Sequence, residues 1–158
     1  MKLQMKKSDL ADRDDIWNAV IQAISEFDLP MENGVKKEAY IVFQYYAELA
    51  SGGHESLFNW LSDYIKEVGI SNFLKELIEV LNKIGAGDYA EIEKAYGEEI
   101  WSRLAALENG RISEENFYEV IEKADNAYYQ LDNRLDELLA AYFVDIHEEL
   151  IDVLEDEK

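Results

Sequence analysis

Apolar residues recur at three- and four-residue spacing in every long segment of this chain, and this spacing is the strongest constraint on its fold. In the final segment the apolar positions step by 3, 1, 3, 1, 3, 4 and 3 residues along Leu135, Leu138, Leu139, Tyr142, Phe143, Ile146, Leu150 and Val153. This is the period of one helix face, and no segment of comparable length alternates with the period of a strand. The pattern predicts a final helix that continues past Val153.

The same spacing predicts about seven helices, separated by the few turn-forming residues of the chain. The predicted segments are, in chain order, roughly 9–27 ahead of Pro30, 35–50 ahead of Gly52-Gly53, a short helix closing near Gly69, a helix from Ser71 to Gly85, a helix from Asp88 to Asn109-Gly110 with a kink or break at Gly97, a sixth helix opening at Ser113, and the final segment. The sixth and final segments are either continuous or broken near Asp132-Asn133.

Length and composition favour one domain of helices. The chain has 158 residues, of which 48% are hydrophobic, with 8 Gly and 1 Pro. A β-sandwich would need more turn-forming residues than this. We therefore expect a single irregular all-α domain over residues 1–158, in which residues 1–8 form a flexible basic tail and residues 155–158 a frayed acidic end.

The charge balance limits the classes of partner. Lys and Arg number 15 against 35 Asp and Glu, which gives a formal net charge of −20. Such a surface repels nucleic acid and anionic lipid, so direct binding to either is not expected. The chain has no Cys, which excludes disulfides and thiolate chemistry and fits a cytoplasmic location.

Carboxylates gather on the outer side of the final predicted helix. At about 100° per residue, six of them fall within a sector of roughly 120°, opposite the apolar stripe. These six are Asp145, Glu148, Glu149, Asp152, Glu155 and Asp156. Asp132 and Asp136 lie nearby in sequence. Together these eight residues are the predicted partner-binding face.

The linear charge density of this predicted face resembles that of a phosphate backbone. Six carboxylates over a helical rise of about 16.5 Å give about one charge per 3 Å, whereas one DNA strand carries a charge every ~3.4 Å. Surface helices usually interleave both signs of charge, and here Lys and Arg are nearly absent. The face could imitate a phosphate track, although a charged outer face is also normal for a soluble amphipathic helix.

His54 and His147 are the two candidates for acid–base chemistry near neutral pH. Neither belongs to a pair of helical residues at metal-ligand spacing, so we expect structural or incidental roles, no metal site and no cofactor. Gly85-Ala86-Gly87 lacks the preceding strand and the third glycine of a dinucleotide-binding turn. The chain is therefore not expected to be an enzyme, and an enzyme that uses His54 is the least favoured alternative.

Two pairs of adjacent tyrosines interrupt the helical pattern, Tyr45-Tyr46 and Tyr128-Tyr129. Neighbours on a helix point about 100° apart, so both members of a pair cannot lie at the centre of one buried stripe. One tyrosine of each pair is expected to face outwards. A homodimer interface and an ordinary half-exposed surface are equally compatible with this pattern.

Three stretches within roughly residues 36–150 carry a family resemblance. They are Glu48-Leu49-Ala50-Ser51-Gly52-Gly53 followed by Leu57-Phe58; Ile84-Gly85-Ala86 with Ala90, Ile92 and Ala95; and Asp125 through Tyr128-Tyr129-Gln130-Leu131 to Leu135, Leu139, Tyr142 and His147. Together they resemble the acidic all-helical DNA-mimic protein family known from Neisseria, a widespread bacterial group of domains of unknown function. Ser51, His54 and Ser56 depart from the family pattern, which usually has Asn, an aromatic residue and Gln there.

The resemblance implies an all-helical fold and a protein that offers carboxylates in place of phosphates to DNA-binding proteins. Together with the charge, it predicts a non-enzymatic protein whose acidic face binds a basic transcription factor or nucleoid protein. The alternative is an immunity or accessory protein that neutralises a specific toxin through shape and aromatic contacts. Ionic strength distinguishes the two, because exposed charges are screened more than buried aromatic anchors.

Overall fold

The computed structural model describes residues 3–27, 31–32, 34–131 and 134–155. Within this part of the chain the secondary-structure elements are, in order, strand β1 (Leu3–Lys6), a 3-10 helix (Lys7–Leu10), α1 (Arg13–Ile24), α2 (Val35–Trp60), α3 (Ser62–Val68), α4 (Ile70–Lys83), α5 (Gly87–Glu108), α6 (Glu114–Tyr129), α7 (Leu135–Leu150) and strand β2 (Ile151–Leu154). The predicted all-α class with seven helices is confirmed. Among these helices, none combines the length and apolar character that a membrane crossing requires.

Helix α2 lies at the centre of the packing. It contacts α1, α3, α4, α6 and α7, while α5 packs between α4 and α6. The largest fully buried side chains come from several helices and meet in one core: Tyr45, Phe58, Phe73, Phe117 and Phe143. Because α2 is surrounded on several sides, polar groups on its inner faces must find partners within the protein.

The N-terminal segment forms a strand rather than the predicted flexible tail. Strand β1 pairs in parallel with β2, with Leu3 opposite Ile151 and Lys6 opposite Leu154. Leu3 and Met5 face the core, whereas Gln4 and Lys6 are exposed. The pairing satisfies backbone groups that a helical prediction leaves to solvent, and it brings a basic residue next to the acidic C-terminal segment.

Helix α1 is shorter than the predicted 9–27. It begins at Arg13, where the Asp12 carboxylate accepts a hydrogen bond from the Asp15 backbone N–H at 2.9 Å, and it ends at Ile24. The predicted stop at Pro30 lies outside the described residues. Asp12 therefore sets the start of this helix as an N-cap.

Helix α2 continues past the predicted end at Gly52-Gly53. Its backbone leaves helical geometry at Gly53, where φ is 71° and ψ is −160°, and then resumes a helical course to Trp60. The glycine pair thus marks a kink within one long element. The short third helix closes at Gly69 as predicted.

Two of the predicted helix starts are wrong and one is right. Helix α4 begins at Ile70 after Gly69, not at Ser71, and α5 begins at Gly87 with no side-chain cap, ahead of Asp88. Ser113 caps α6 as predicted, since its hydroxyl accepts a hydrogen bond from the Asn116 backbone N–H at 3.2 Å. The ends at Gly85 and Asn109-Gly110 are close to those predicted, with positive φ angles at both glycines.

Gly97 neither kinks nor breaks α5, which runs without interruption through it. A Cβ atom at this position would lie 2.6 Å from the Leu74 Cδ2 atom of α4. The glycine therefore allows close approach of two helices, which explains its place in a helix interior despite its low helix propensity.

Helix α7 ends at Leu150, well before the predicted end. Ile151 adopts extended geometry and opens β2, in which Ile151 and Val153 face inwards while Asp152 and Leu154 are exposed. The three- and four-residue spacing breaks down here because parallel pairing with β1 takes over. Helices α6 and α7 are separate, and the predicted break at Asp132-Asn133 lies outside the described residues.

Candidate functional site

The outer side of α7 carries four exposed carboxylates, which we call the α7 acidic face: Glu137, Asp145, Glu148 and Glu149. At about 100° per residue they fall within a sector of roughly 120°, opposite the buried Leu139 and Ile146. Glu137 is not among the residues predicted for the partner-binding face. The helical period places Glu137 on the same side as the other three carboxylates, and this can be read from the sequence once the start of α7 is known.

No cation neutralises this face within the described part of the chain. Residues 135–155 contain no Lys or Arg. Among the described residues, none of the four side chains forms a salt bridge. Arg13 Nη2 donates to the backbone carbonyl of Glu137 at 3.3 Å, a contact that does not involve the carboxylate. The carboxylates are thus both exposed and uncompensated.

Glu148 and Glu149 lie where a helix disfavours negative charge. They occupy the last turn of α7, next to the unsatisfied carbonyls that form the negative end of the helix dipole. His147 is the one basic side chain of that turn, and its Nδ1 lies 2.7 Å from the Val144 carbonyl, to which it donates. The sequence therefore keeps two locally unfavourable charges at this end.

The other predicted partner-binding residues do not continue this face along one helix. Asp136 lies about 180° around α7 from Asp145. Asp152 is on β2 and Glu155 follows that strand, both exposed. Asp132 and Asp156 lie outside the described residues. The predicted single stripe of six helical carboxylates is therefore wrong, because α7 stops at Leu150.

A second polar cluster is largely buried and joins three helices. His54 of α2 has no solvent exposure, and its Nε2 and Nδ1 atoms each lie 2.7 Å from a carboxylate oxygen, of Glu93 on α5 and Asp125 on α6 respectively. The His54 backbone N–H also donates to Asp125 at 2.9 Å. The Tyr45 hydroxyl donates to Glu93 at 3.0 Å. We call these four residues the His54 cluster.

The geometry of the His54 cluster requires a charged imidazole. A neutral ring would point a lone pair at one of the two carboxylates, whereas a protonated ring donates to both. Burial lowers the pKa of His54, but the charges and hydrogen bonds of Glu93 and Asp125 outweigh it and raise that pKa to about 9. Burial and the nearby Glu93 also raise the pKa of Tyr45, which keeps its hydroxyl protonated.

The kink at Gly53 makes room for this cluster. A Cβ atom on Gly53 would lie 2.5 Å from Asp125 Oδ2, closer than real contacts allow. The positive φ angle of 71° also favours glycine. Gly53 therefore lets the carboxylate of Asp125 reach the backbone and ring of His54.

The partners of His54 could not be found from spacing along one helix, because they lie 39 and 71 residues away on other helices. Full burial also removes the specific alternative of an enzyme that uses His54, since its ring does not reach a surface from which substrate could approach. The His54 cluster is structural. In the described part of the chain, no group of three or more His, Asp or Glu side chains is arranged to hold a metal ion.

The tyrosine pairs divide as expected. Tyr45 is fully buried and Tyr46 is half-buried, whereas Tyr128 is buried and Tyr129 is 60% exposed. Tyr128 and Tyr129 still contact each other edge to face, with ring centroids 5.7 Å apart. Whether the outer tyrosines contact a second copy of the chain stays a prediction.

Comparison with known proteins identifies the family. No curated protein and no solved structure matches the chain. The family model described as DMP19-like protein matches residues 32–147, a range that contains the whole His54 cluster and ends just before Glu148 and Glu149. Because this range covers well over half of the chain, the protein belongs to the DMP19-like protein family, the DNA-mimic family that its sequence resembles.

Proposed function

We propose that this protein is a non-enzymatic DNA mimic that occupies the DNA-binding surface of a basic protein, such as a transcription factor or nucleoid protein, in the cytoplasm. The observation that carries the proposal is the α7 acidic face, whose four carboxylates are exposed and unpaired among the described residues. Family membership supports the same role. Basic surfaces that bind phosphates are the complementary partners of such a face.

The spacing of charges supports imitation of a phosphate backbone, although less closely than the sequence predicts. From Glu137 to Glu149 the helix rises by about 18 Å, so four carboxylates give about one charge per 4.5 Å. One DNA strand carries one charge per ~3.4 Å. Asp152 and Glu155 on the β2 side extend the negative surface beyond the helix end. The linear charge density of this surface is thus lower than that of a DNA strand but of the same order.

Retention of charge at an unfavourable place also supports a binding role. Glu148 and Glu149 oppose the dipole of α7, and no salt bridge within the described residues offsets this. Residues that break a local stability rule without compensation are often those selected for function. Selection for helix stability alone would favour Lys or Arg at these two positions, because the dipole stabilises cations in the last turn.

The test compares two triple variants of equal charge change. In one, Asp145→Asn, Glu148→Gln and Glu149→Gln neutralise the acidic face; in the control, Asp63→Asn, Glu67→Gln and Glu98→Gln neutralise exposed carboxylates on α3 and α5. Affinity is measured for a basic DNA-binding protein captured from the source cell on the unmodified chain. We expect the first triple to weaken binding by about tenfold or more and the control by about twofold or less. Equal effects would show that net charge, not this face, drives binding.

A second candidate function is that of an immunity or accessory protein that binds a specific toxin. Two large aromatic side chains favour it, because Trp60 is 62% exposed and Tyr129 is 60% exposed, and exposed aromatics are frequent anchors of specific interfaces. Raising salt from about 50 to 200 mM separates the candidates, since mimicry of DNA loses affinity steeply while an aromatic anchor holds.

A further inference from the structure

A pocket lined by tyrosines lies beside the start of α7. Its volume is about 360 Å³, and its walls include Tyr46, Tyr89, Tyr128, Tyr129 and Asp136. Pockets for small ligands or side chains run from about 300 to 1,000 Å³, so this one is of the smaller kind. It lies on the side of α7 away from Asp145, and it is therefore distinct from most of the α7 acidic face.

The tyrosine rings that line the pocket are steeply inclined to one another. Tyr128 stands at the centre, with ring centroids 5.4 Å from Tyr89 and 5.7 Å from Tyr129, and interplanar angles of 64° and 82°. Burial raises the pKa of both Tyr89 and Tyr128, so their hydroxyls stay protonated and the rings remain neutral. The face of a neutral aromatic ring carries partial negative charge and attracts cations.

A carboxylate completes the pocket. Asp136 is exposed in the first turn of α7, its Oδ1 accepts the Glu137 backbone N–H at 2.9 Å, and it forms no salt bridge with any other described residue. Tyr46 and Asp136 also line a neighbouring pocket of about 340 Å³, which adds Trp17, Asp14 and Glu137. Trp17 and Tyr46 pack edge to face with centroids 5.7 Å apart.

An arginine of the chain itself already lies beside this tyrosine pocket. Arg13 lines the neighbouring pocket and donates from Nη2 to the Glu137 carbonyl. Several neutral rings with a carboxylate at the rim suit a second planar cation better than an anion or an apolar side chain. Arginine fits best among side chains, because its guanidinium stacks on aromatic faces and forms paired hydrogen bonds with a carboxylate.

We propose that the pocket of Tyr46, Tyr89, Tyr128, Tyr129 and Asp136 receives an arginine side chain of the basic protein partner. This inference rests on the proposed function for the identity of the partner, and it adds an anchor that the exposed carboxylates alone lack. Charged faces steer a partner and set the association rate. A buried arginine among tyrosines slows dissociation and selects partners that carry an arginine at the matching position.

The test uses blocked pentapeptides in which one arginine, or the isosteric but neutral citrulline, is flanked by glycines. Binding is followed by the NMR shifts of backbone amides at 128–129 and 135–136. We expect saturable shifts with the arginine peptide and affinity about tenfold weaker for citrulline. Asp136→Asn and Tyr129→Ala each weaken binding by about fivefold or more. The matched controls Asp63→Asn and Tyr118→Ala, which alter exposed residues elsewhere, change it by about twofold or less.

Three results would overturn the proposal. They are equal affinity for arginine and citrulline peptides, equal loss in Asp136→Asn and Asp63→Asn, and binding of free spermidine about tenfold tighter than of the arginine peptide, which would indicate a site for a small organic cation. Failure here is separable from failure of the proposed function. If the acidic-face triple variant loses partner binding but the arginine peptide does not bind, only the proposed arginine pocket is refuted. If the arginine peptide binds but the triple variant still binds the partner normally, only the proposed DNA mimicry is refuted.

Discussion

His54 Nε2 and Glu93 Oε2 lie 2.7 Å apart with neither side chain exposed, although 39 residues separate them in sequence. With Asp125 on the other ring nitrogen, one imidazolium joins α2, α5 and α6. Desolvation of a buried ion pair offsets much of its attraction, so its net contribution to stability is smaller than its geometry suggests. Loss of one partner is different, because it leaves the other charge buried and uncompensated.

Removal of the imidazole should therefore destabilise the protein strongly. We expect His54→Gln to lower the free energy of unfolding by about 3–5 kcal/mol, the usual cost of breaking a buried ion pair. Glu93 Oε1 already has no hydrogen-bond partner among the described residues, so without the imidazole this buried carboxylate keeps only the neutral Tyr45 hydroxyl as a donor to its other oxygen. Urea denaturation at neutral pH measures the change.

Adding Glu93→Gln to the His54→Gln variant should restore a large part of the lost free energy of unfolding, since it removes the uncompensated charge. The control is His147→Gln, which removes one hydrogen bond within α7 and should cost about 1 kcal/mol or less. Equal losses in His54→Gln and His147→Gln would contradict the assignment of a charged His54 cluster.

Stability should fall as the pH rises from about 6.5 to about 9. The pKa of His54 in the folded protein is raised to about 9 from 6.5 in the unfolded chain. The folded state therefore binds the proton more tightly, and the stability from this proton is complete below the lower value and lost through the upper one. The expected loss is of the order of 3 kcal/mol. Thermal unfolding across this range measures it.

The same pH series on His54→Gln should be nearly flat, whereas His147→Gln should retain the slope. A slope that persists without His54 would assign the titration to another group.

Gly53 should tolerate alanine less well than Gly110, a glycine with the same φ angle. Gly53 and Gly110 share a φ angle of 71°, but an added Cβ meets Asp125 Oδ2 at 2.5 Å in the first and nothing within 4 Å in the second. Gly110→Ala should cost about 1–2 kcal/mol through backbone strain alone. Gly53→Ala should cost about 1–3 kcal/mol more, because the carboxylate must move off His54. Equal losses in denaturation experiments would mean that the close approach is unimportant.

Periodicity predicts what depends on neighbours in sequence and misses what depends on distant ones. The helix faces, the Ser113 cap and the glycine at 85 follow from local patterns. The β1–β2 pair does not, because each strand has only four residues and Val153 also lies three residues after Leu150, which is the spacing of a helix face. The partners of His54 lie on other helices and leave no spacing signal. The one sequence signal for this cluster was the glycine pair just before His54, because a glycine can indicate close approach of another side chain to the backbone as well as the end of a helix.

Neutralising the end of α7 should stabilise the protein while it weakens partner binding. Glu148→Gln and Glu149→Gln remove negative charges from the negative end of the helix dipole, and each should raise the free energy of unfolding by about 0.3–1 kcal/mol at low salt. Glu137→Gln, at the favourable first turn of the same helix, should lower it by a similar amount. Thermal denaturation of the three variants gives the signs, and a stability loss in the two C-terminal variants would contradict the functional explanation for their retention.

If the protein is a DNA mimic as proposed, its α7 acidic face and DNA compete for one surface of the basic partner. A labelled duplex bound to the captured basic protein is titrated with this chain, and fluorescence anisotropy reports how much duplex remains bound. We expect the unmodified chain to release the duplex fully, and the variant with Asp145→Asn, Glu148→Gln and Glu149→Gln to require about tenfold more protein. A ternary complex, in which the duplex stays bound while the chain also binds, would contradict the claim.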